Sequence, residues 1–382
     1  MAEPKIKSDK INTLIESIGV KFFIRFSKKL KAERTIKLKE IPSDRVLEVV
    51  SQNITLNTVI IAFLVGALTT VPAVLFEIYY RDLLEPLPYY ALLSMVTVVF
   101  LVIEVGVLYW LGIRSVYTLA YLTGYKEDEE STLPPEYDVK KIMVRSALEI
   151  EDPAIEYLGI DPQKYASGYW LLLRTLLYKA KIALTTILAK LLLRKLVMRY
   201  GIRVGFVWVA IPVTAIWDAI IMYRVVQDAK LRLFGYHLSK YIASEIITDK
   251  LLNSYSKEIR EGAIRAISTV MVQSKNYHPN NILLLIRMNE NLVIQEKKDY
   301  DDLSIYINYL KSVSSEEKHL LRTLSGMAAV FDGKMNQDEK EALIKIFAEE
   351  EHYMLFTKEL KELLLLGHIH KAADLCEKMI LD

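Results

Sequence analysis

Two Glu-x-x-His pairs are the residues of this chain whose spacing best suits metal chemistry. Glu316 and His319 form the first pair, and Glu349 and His352 form the second. On a helix the two members of each pair lie on one face, which is the spacing that di-iron carboxylate bundles use. Such a centre also needs two further glutamates from other helices. The sequence therefore leaves two interpretations open, a divalent-metal site and a solvated charged helix face, and the second is favoured.

Glu104 and Asp218 are acidic residues inside otherwise apolar stretches. Glu104 interrupts the run 87–113, and Asp218 lies within the run 204–223. A carboxylate inside a membrane is costly, so we expect Glu104 to be protonated, to pair with a basic residue of 174–203, or to face a cavity. Together the two acids suggest a proton- or ion-handling site. The alternative, which is favoured, is a structural polar contact between helices or a span that ends near Ile103.

Two long apolar runs must position Glu104. Residues 54–76 form a run of 23 without a charged side chain, which exceeds the roughly 30 Å of a membrane core at about 1.5 Å per residue. A short loop containing Pro86 and Pro88 connects it to the second run. We predict an antiparallel transmembrane hairpin over 56–113, with spans at about 56–79 and 87–113. A stripe of small residues on the first span predicts close helix packing: Ala62, Gly66 and Thr70.

Basic residues predict the orientation of this hairpin. Residues 1–55 contain twelve Lys or Arg, whereas the loop contains only Arg81. The positive-inside rule then places both termini in the cytoplasm and the chain, as a multi-pass protein, in an inner membrane. Within residues 1–55 a basic stretch with interleaved phenylalanines predicts an amphipathic helix on anionic lipids, the alternative being a solvated face; nucleic-acid binding is not favoured. Its basic residues include Lys21, Arg25, Lys28, Lys29 and Lys31.

The middle of the chain divides into an acidic and a basic region. Residues 114–165 contain runs of acids and prolines, which are typical of a linker. Residues 166–235 contain eleven Lys or Arg against two acids, spread through apolar sequence. Either one or two extra spans would leave basic residues outside the cell. We therefore predict a basic interfacial or re-entrant helical hairpin, and four spans remain the alternative.

Residues 236–382 predict a cytoplasmic helical domain, because apolar residues recur at three- and four-residue steps. We predict a helix at about 337–355, and Asn336 and Glu339 predict a capping box at its start. His368 and His370 are predicted to be surface residues. Cys376, the one cysteine, excludes an intramolecular disulfide or a cysteine zinc site and is expected to be a small buried hydrophobe.

Two stretches resemble known families. Residues 326–339, with a small-residue helix ending in Asp332-Gly-Lys and a capped acidic helix from Asn336 to Glu339, resemble the centre of tellurite-resistance TerB-type domains. The resemblance covers about 315–382 and implies a helical cytoplasmic module linked to membrane-associated stress responses, with Asp332 and Glu339 as candidate metal ligands. Ile211-Pro212, Trp217-Asp218 and Asp228-Ala229-Lys230 resemble the EcsC-like family of bacterial membrane-associated proteins.

The composition fits these regions. The 382 residues are 52% hydrophobic and 25% charged with a net charge of +2, and 14 glycines and 11 prolines are few, which favours helices. No phosphate-binding glycine loop, catalytic triad order or HExxH motif is present in the sequence. We expect an all-α membrane protein that acts without enzymatic activity as a scaffold or regulatory protein, without a required cofactor, in contact with anionic lipids and with protein partners or copies of itself. A channel or transporter using Glu104 and Asp218 is the alternative, and a di-metal carboxylate protein is the third.

Overall fold

The structure is a computed structural model that describes residues 5–7, 16–17, 19–21, 24–25, 42–123, 139–147, 154–156, 160, 208–274, 278–290, 292, 299–331, 335–348 and 350–381. The chain divides into two compact units. Unit 1 comprises residues 1–52, 117–165 and 228–382, and unit 2 comprises residues 53–116 and 166–227.

Helices form nearly all of the secondary structure in the described residues, which confirms the predicted all-α class. In chain order they are α1 (Asp44–Tyr80), α2 (Pro86–Leu122), α3 (Val139–Ala147), α4 (Ala210–Tyr241), a π-helical turn (Ile242–Ile246), α5 (Asp249–Ser254), α6 (Lys257–Ser274), α7 (Pro279–Asn289), α8 (Leu303–Ser312), α9 (Ser315–Phe331), α10 (Gln337–Phe347), α11 (Glu351–Leu366) and α12 (Ile369–Leu381). Strands β1 (Lys5–Lys7) and β2 (Ala154–Glu156) form a short antiparallel pair in register Lys5 to Glu156.

Three helices among the described residues are long and apolar enough to cross a membrane: α1, α2 and α4 with the turn that follows it. The most apolar windows of α1 and α2 are only 28% and 11% buried within the protein. A helix that is apolar on all sides and yet exposed is suited to a lipid environment, because exposing such a surface to water is energetically unfavourable. At 37 residues, α1 and α2 are each about 55 Å long, so they extend beyond a membrane core.

The third apolar helix covers only the second part of the interfacial hairpin that the sequence favoured, residues 166–235. A single helix, α4, runs without a break from Ala210 to Tyr241, through Pro212 in its first turn and through the predicted boundary at residues 235 and 236. Proline is tolerated there because the first-turn amides have no partner within the helix. The first part of the predicted hairpin, residues 166–207, lies outside the described residues.

In unit 1, α6 and α9 pack against each other at the centre of a helical domain. Every residue of α9 from Leu320 to Phe331 is buried. Gly326 allows this, because a Cβ there would lie 2.8 Å from Thr357 Oγ1 and 3.3 Å from the Phe356 ring. The apolar positions predicted from the periodicity of this region are buried at Leu320, Leu321, Leu324, Met327, Phe331, Leu343, Ile346 and Phe347.

The helix predicted at about 337–355 is two helices. The predicted capping box opens α10, since Asn336 accepts from the Glu339 amide and the Glu339 carboxylate accepts from the Asn336 amide. That helix ends at Phe347, and Ala348 adopts a left-handed conformation with φ of 49° before α11 begins. A second left-handed residue, Gly367, ends α11. Glycine suits that position because a positive φ strains residues with a Cβ.

Candidate functional site

In unit 2, α1 and α2 lie antiparallel to each other. Thr58 and Ser115 share a 2.7 Å hydrogen bond near one end. The Phe76 and Tyr89 rings stack with centroids 6.2 Å apart near the other. Residues later in α1 therefore lie beside residues earlier in α2. This pairing places Glu104, which lies between Tyr89 and Ser115, against the middle of α1.

The small-residue stripe of α1 receives α4. Ala62 is fully buried in a cluster with Leu111, Met222 and Val225. One turn further along, a Cβ on Gly66 would lie 2.5 Å from Asp218 Oδ2 and 3.0 Å from the Ala215 Cα. Only glycine allows this approach. The stripe was predicted to serve close packing, and in this unit its contact is with α4, antiparallel to α1.

The two candidate acids meet the same turn of α1. Glu104 is 1% exposed, and its Oε2 lies 2.6 Å from Thr69 Oγ1. Asp218 is fully buried against Gly66, three residues before Thr69. The Thr69 hydroxyl also lies 2.9 Å from the Val65 carbonyl oxygen. Unit 2 thus brings Glu104 and Asp218 to neighbouring points of one helix. The sequence identified both acids and Gly66 but not Thr69, because one threonine in an apolar run carries no distinguishing signal.

In unit 1, two histidines contact two carboxylates of α1. His370 belongs to α12, and His368 directly precedes it. Asp44 Oδ1 lies 2.8 Å from His370 Nδ1, and Glu48 Oε2 lies 2.9 Å from His368 Nε2. The Asp44 carboxylate also accepts from the backbone amides of His370 and Lys371 at 3.0 and 3.1 Å. A cleft of about 750 Å³ opens beside these side chains. We call the four residues Asp44, Glu48, His368 and His370 the carboxylate–histidine clasp.

The clasp corrects the expectation that His368 and His370 are plain surface residues. His370 is 57% exposed as a side chain, yet His368 is only 13% exposed, and both have a carboxylate partner. The partners precede them by 320 and 326 residues. No local pattern in one sequence reports a contact over that distance.

The two histidines of the Glu-x-x-His pairs lie side by side. The His319 and His352 ring centroids are 6.3 Å apart, and His319 Nδ1 lies 2.9 Å from the Tyr353 hydroxyl. Burial, followed by the charge of Glu350, raises the pKa of that tyrosine. His352 precedes Tyr353 in the first turn of α11, so these groups form one cluster on α9 and α11.

The remaining candidate metal ligands are divided. Glu316 is exposed, and Glu339 is fully buried at the capping box, whereas Asp332 and Glu349 lie outside the described residues. Within the residues that the structure describes, no group of three or more His, Cys, Asp or Glu side chains is arranged to hold a metal ion.

The basic N-terminal segment is described in part. Lys21 and Arg25 are exposed, while Lys28, Lys29 and Lys31 lie outside the described residues. The buried Arg145 of α3 pairs with Glu16 of the N-terminal segment at 2.9 Å. Together with the β1–β2 pairing, this contact joins the N-terminal segment to the region predicted to be an acidic linker.

Comparison with family models, with curated proteins and with solved structures finds no match to this chain. The resemblances to TerB-type domains and to the EcsC-like family therefore stay predictions from the sequence.

Proposed function

We propose that this chain is a non-enzymatic, multi-pass membrane-anchored scaffold or regulatory protein of an inner membrane. Its apolar helices are the anchor, and its helical domain, residues 228–382, is the part that meets other proteins in the cytoplasm. The clasp is the observation that carries this proposal. It connects the last helix of that domain to residues 44–48, which precede the uncharged run 54–76 of the first apolar helix.

Exposed apolar side chains support the anchoring role. Leu68 of α1, Val102 of α2 and Ile216 of α4 are 69%, 66% and 51% exposed. They belong to the apolar parts of these helices, so their transfer from water to lipid is favourable. A soluble domain would have to cover these faces.

The directions of the three apolar helices in unit 2 support one orientation of these helices in the membrane. Residues 53, 116 and 227 lie at one end of the three helices, and residues 80, 86 and 208 lie at the other. The positive-inside count assigns the first end to the cytoplasm. A chain with four crossings enters α4 at the outer end, whereas an interfacial hairpin does not. We therefore favour four crossings, the alternative that the sequence ranked second.

Cysteine accessibility tests this arrangement in intact cells. Single cysteines replace Leu84, Trp208 and Lys240 in a Cys376→Ser background, and each is exposed to a membrane-impermeant maleimide before and after permeabilisation. We expect labelling from outside at positions 84 and 208, and at position 240 only after permeabilisation. Labelling of position 240 in intact cells would contradict a cytoplasmic helical domain and with it the scaffold proposal.

An ion or solute pathway is the second candidate function. The observation that favours it is the meeting of Glu104 and Asp218 at one turn of α1, because buried intramembrane acids commonly mark substrate or ion paths. Purified protein in liposomes separates the two candidates. A scaffold leaves proton and cation leak at the level of empty liposomes, whereas a pathway raises the leak, and Glu104→Gln with Asp218→Asn lowers it again.

A further inference from the structure

A cleft of about 450 Å³ opens beside α11 in the helical domain. Its apolar lining comes from Met335, Met354 and Leu355. Leu355 is 62% exposed, more than any other large apolar residue that the structure describes within 228–382. A single exposed leucine is ordinary, but a leucine at the edge of an apolar cleft provides an anchoring point for a partner. The two methionines are flexible and polarizable, which suits a surface that adapts to the side chains it binds.

The floor of the cleft is closely packed. Thr357 is 2% exposed, and its hydroxyl donates to the Tyr353 carbonyl oxygen at 2.7 Å. Gly326 of α9 lies behind it, where an added Cβ would be 2.8 Å from Thr357 Oγ1. Because the threonine hydroxyl already has its acceptor, an apolar side chain can enter the cleft without breaking a polar contact there.

The charged side chains that line the cleft are separated by sign. Glu351 lies in the first turn of α11, and Lys358 and Lys361 lie two and three turns later. Seven residues separate Glu351 from Lys358, which is about 10 Å along the helix. Lys358 Nζ lies 4.0 Å from Glu362 Oε1, but the two side chains are 75% and 62% exposed, and such a surface pair is weak. The cleft therefore has a negative end, an apolar middle and a positive end.

We propose that this cleft binds an amphipathic helix of a partner protein, whose acidic residues meet Lys358 and Lys361, whose apolar residues meet Leu355, and whose basic residue meets Glu351. A helix is stabilised by acids near its N-terminus and bases near its C-terminus, because these charges complement its dipole. A partner helix of this kind runs antiparallel to α11. Its apolar residues, at steps of three and four, contact the middle of the cleft from one face. The proposal rests on the scaffold function, since it names the kind of partner that the helical domain meets.

Two synthetic peptides test the proposal with the full chain in phosphatidylcholine nanodiscs, whose neutral lipid attracts neither peptide. The first has two glutamates, two leucines one turn apart and a lysine, in that order along a helix, and the second has the two kinds of charge exchanged. Fluorescence anisotropy gives the Kd of each. We expect the first peptide to bind about tenfold more tightly than the second. Lys358→Glu together with Lys361→Glu should reverse this preference, and Leu355→Gln should weaken both peptides by about tenfold.

Lys250→Glu together with Lys378→Glu is the matched control. It makes the same change of charge at exposed positions outside the cleft and should keep the wild-type preference. Equal Kd values for the two peptides, or a control that loses the preference as the cleft variant does, would overturn the proposal. A dimer of the wild-type chain that Leu355→Gln abolishes would also overturn it, because the occupant would then be a second copy. Peptide binding is measured separately from the cysteine labelling pattern, so failure of this proposal is distinguishable from failure of the scaffold proposal.

Discussion

Asp44 and His370 lie 326 residues apart in the sequence and meet through a 2.8 Å contact between Asp44 Oδ1 and His370 Nδ1. The same carboxylate accepts from the backbone amides of His370 and Lys371. These are amides of the first turn of α12, which have no acceptor within their own helix. An aspartate at the start of α1 therefore supplies to α12 what an N-cap residue supplies to the helix that follows it.

Asp44→Ala should loosen the first turn of α12. The variant leaves two amides without their acceptor, at a cost of about 1 kcal/mol, which corresponds to roughly fivefold faster hydrogen exchange at His370 and Lys371. Exchange measured by mass spectrometry on peptides covering 367–381 reports this change. Asp374→Ala removes an exposed carboxylate from the same helix and is the control. Equal exchange in the two variants would show that Asp44 does not cap α12.

Gly66→Ala should disturb the packing of α4 on α1. The new methyl group would lie 2.5 Å from Asp218 Oδ2 and 3.0 Å from the Ala215 Cα, and the second of these is backbone that cannot turn away. Overpacking of this kind costs about 1–3 kcal/mol. We expect a lower temperature for the loss of helical circular dichroism in detergent.

Gly106→Ala is the matched control for Gly66→Ala. It places the same methyl group on an apolar helix where, among the described residues outside its own stretch of helix, no atom lies within 4 Å. Alanine is also a better helix former than glycine by about 1 kcal/mol, so this variant should be neutral or more stable. A loss of stability that is equal in both variants would argue against a special contact at Gly66.

The sequence predicted what depends on local pattern. An uncharged run of 23 residues and the apolar run after the two prolines predicted two long apolar helices, and α1 and α2 lie there. The spacing of Asn336 and Glu339 predicted a capping box that the structure confirms. Each of these features is set within one or two turns of chain, where hydrophobic period and hydrogen-bonding side chains decide the conformation.

Contacts between elements that are far apart in the chain could not be predicted from the sequence. His319 and His352 lie side by side because one helix ends at Phe347 and α11 begins beside α9. Gly326 meets Phe356 as His319 meets His352, so α9 and α11 run in the same direction. The left-handed conformation of Ala348 lies between α10 and α11. A sequence does not predict this conformation for an alanine.

His278 should make the helical domain sensitive to mild acid. Its side chain is 1% exposed, and its Nδ1 accepts from the Asn280 amide at the start of α7. Burial first, and then the charge of Arg232, hold the pKa of His278 well below its ordinary value of 6.5. The unfolded chain therefore takes up a proton below about pH 6.5 that the folded chain does not. Stability from this group is complete above that pH and falls as the pH drops below it.

Unfolding measured at pH 7.5 and 5.5 tests the sign and size of this effect. A histidine that stays neutral when folded should lose about 1.4 kcal/mol over that interval. In His278→Asn, which keeps a side chain suited to the N-cap but cannot titrate, we expect the loss to be smaller by that amount. His352→Asn changes a histidine that is 53% exposed and should keep the wild-type loss. An unchanged loss in His278→Asn would contradict the assignment.

Cys376 should be unreactive in the folded protein. Its side chain is fully buried on the face of α12 that also buries Ala372, Ala373 and Ile380, and burial raises the pKa of the thiol. The thiolate is the reactive form, so both access and ionisation oppose reaction. We expect maleimide labelling in mild detergent to be slower than for an open thiol by about 100-fold, which corresponds to a local opening of about 3 kcal/mol.

Asp374→Cys in a Cys376→Ala background places a thiol on the exposed face of the same helix and should react at the rate of an open thiol. After denaturation both proteins should take up one label per chain, because the sequence contains one cysteine. Rapid labelling of native Cys376 would mean that α12 leaves its place in the helical domain, and would count against its attachment to α1 through Asp44 and Glu48.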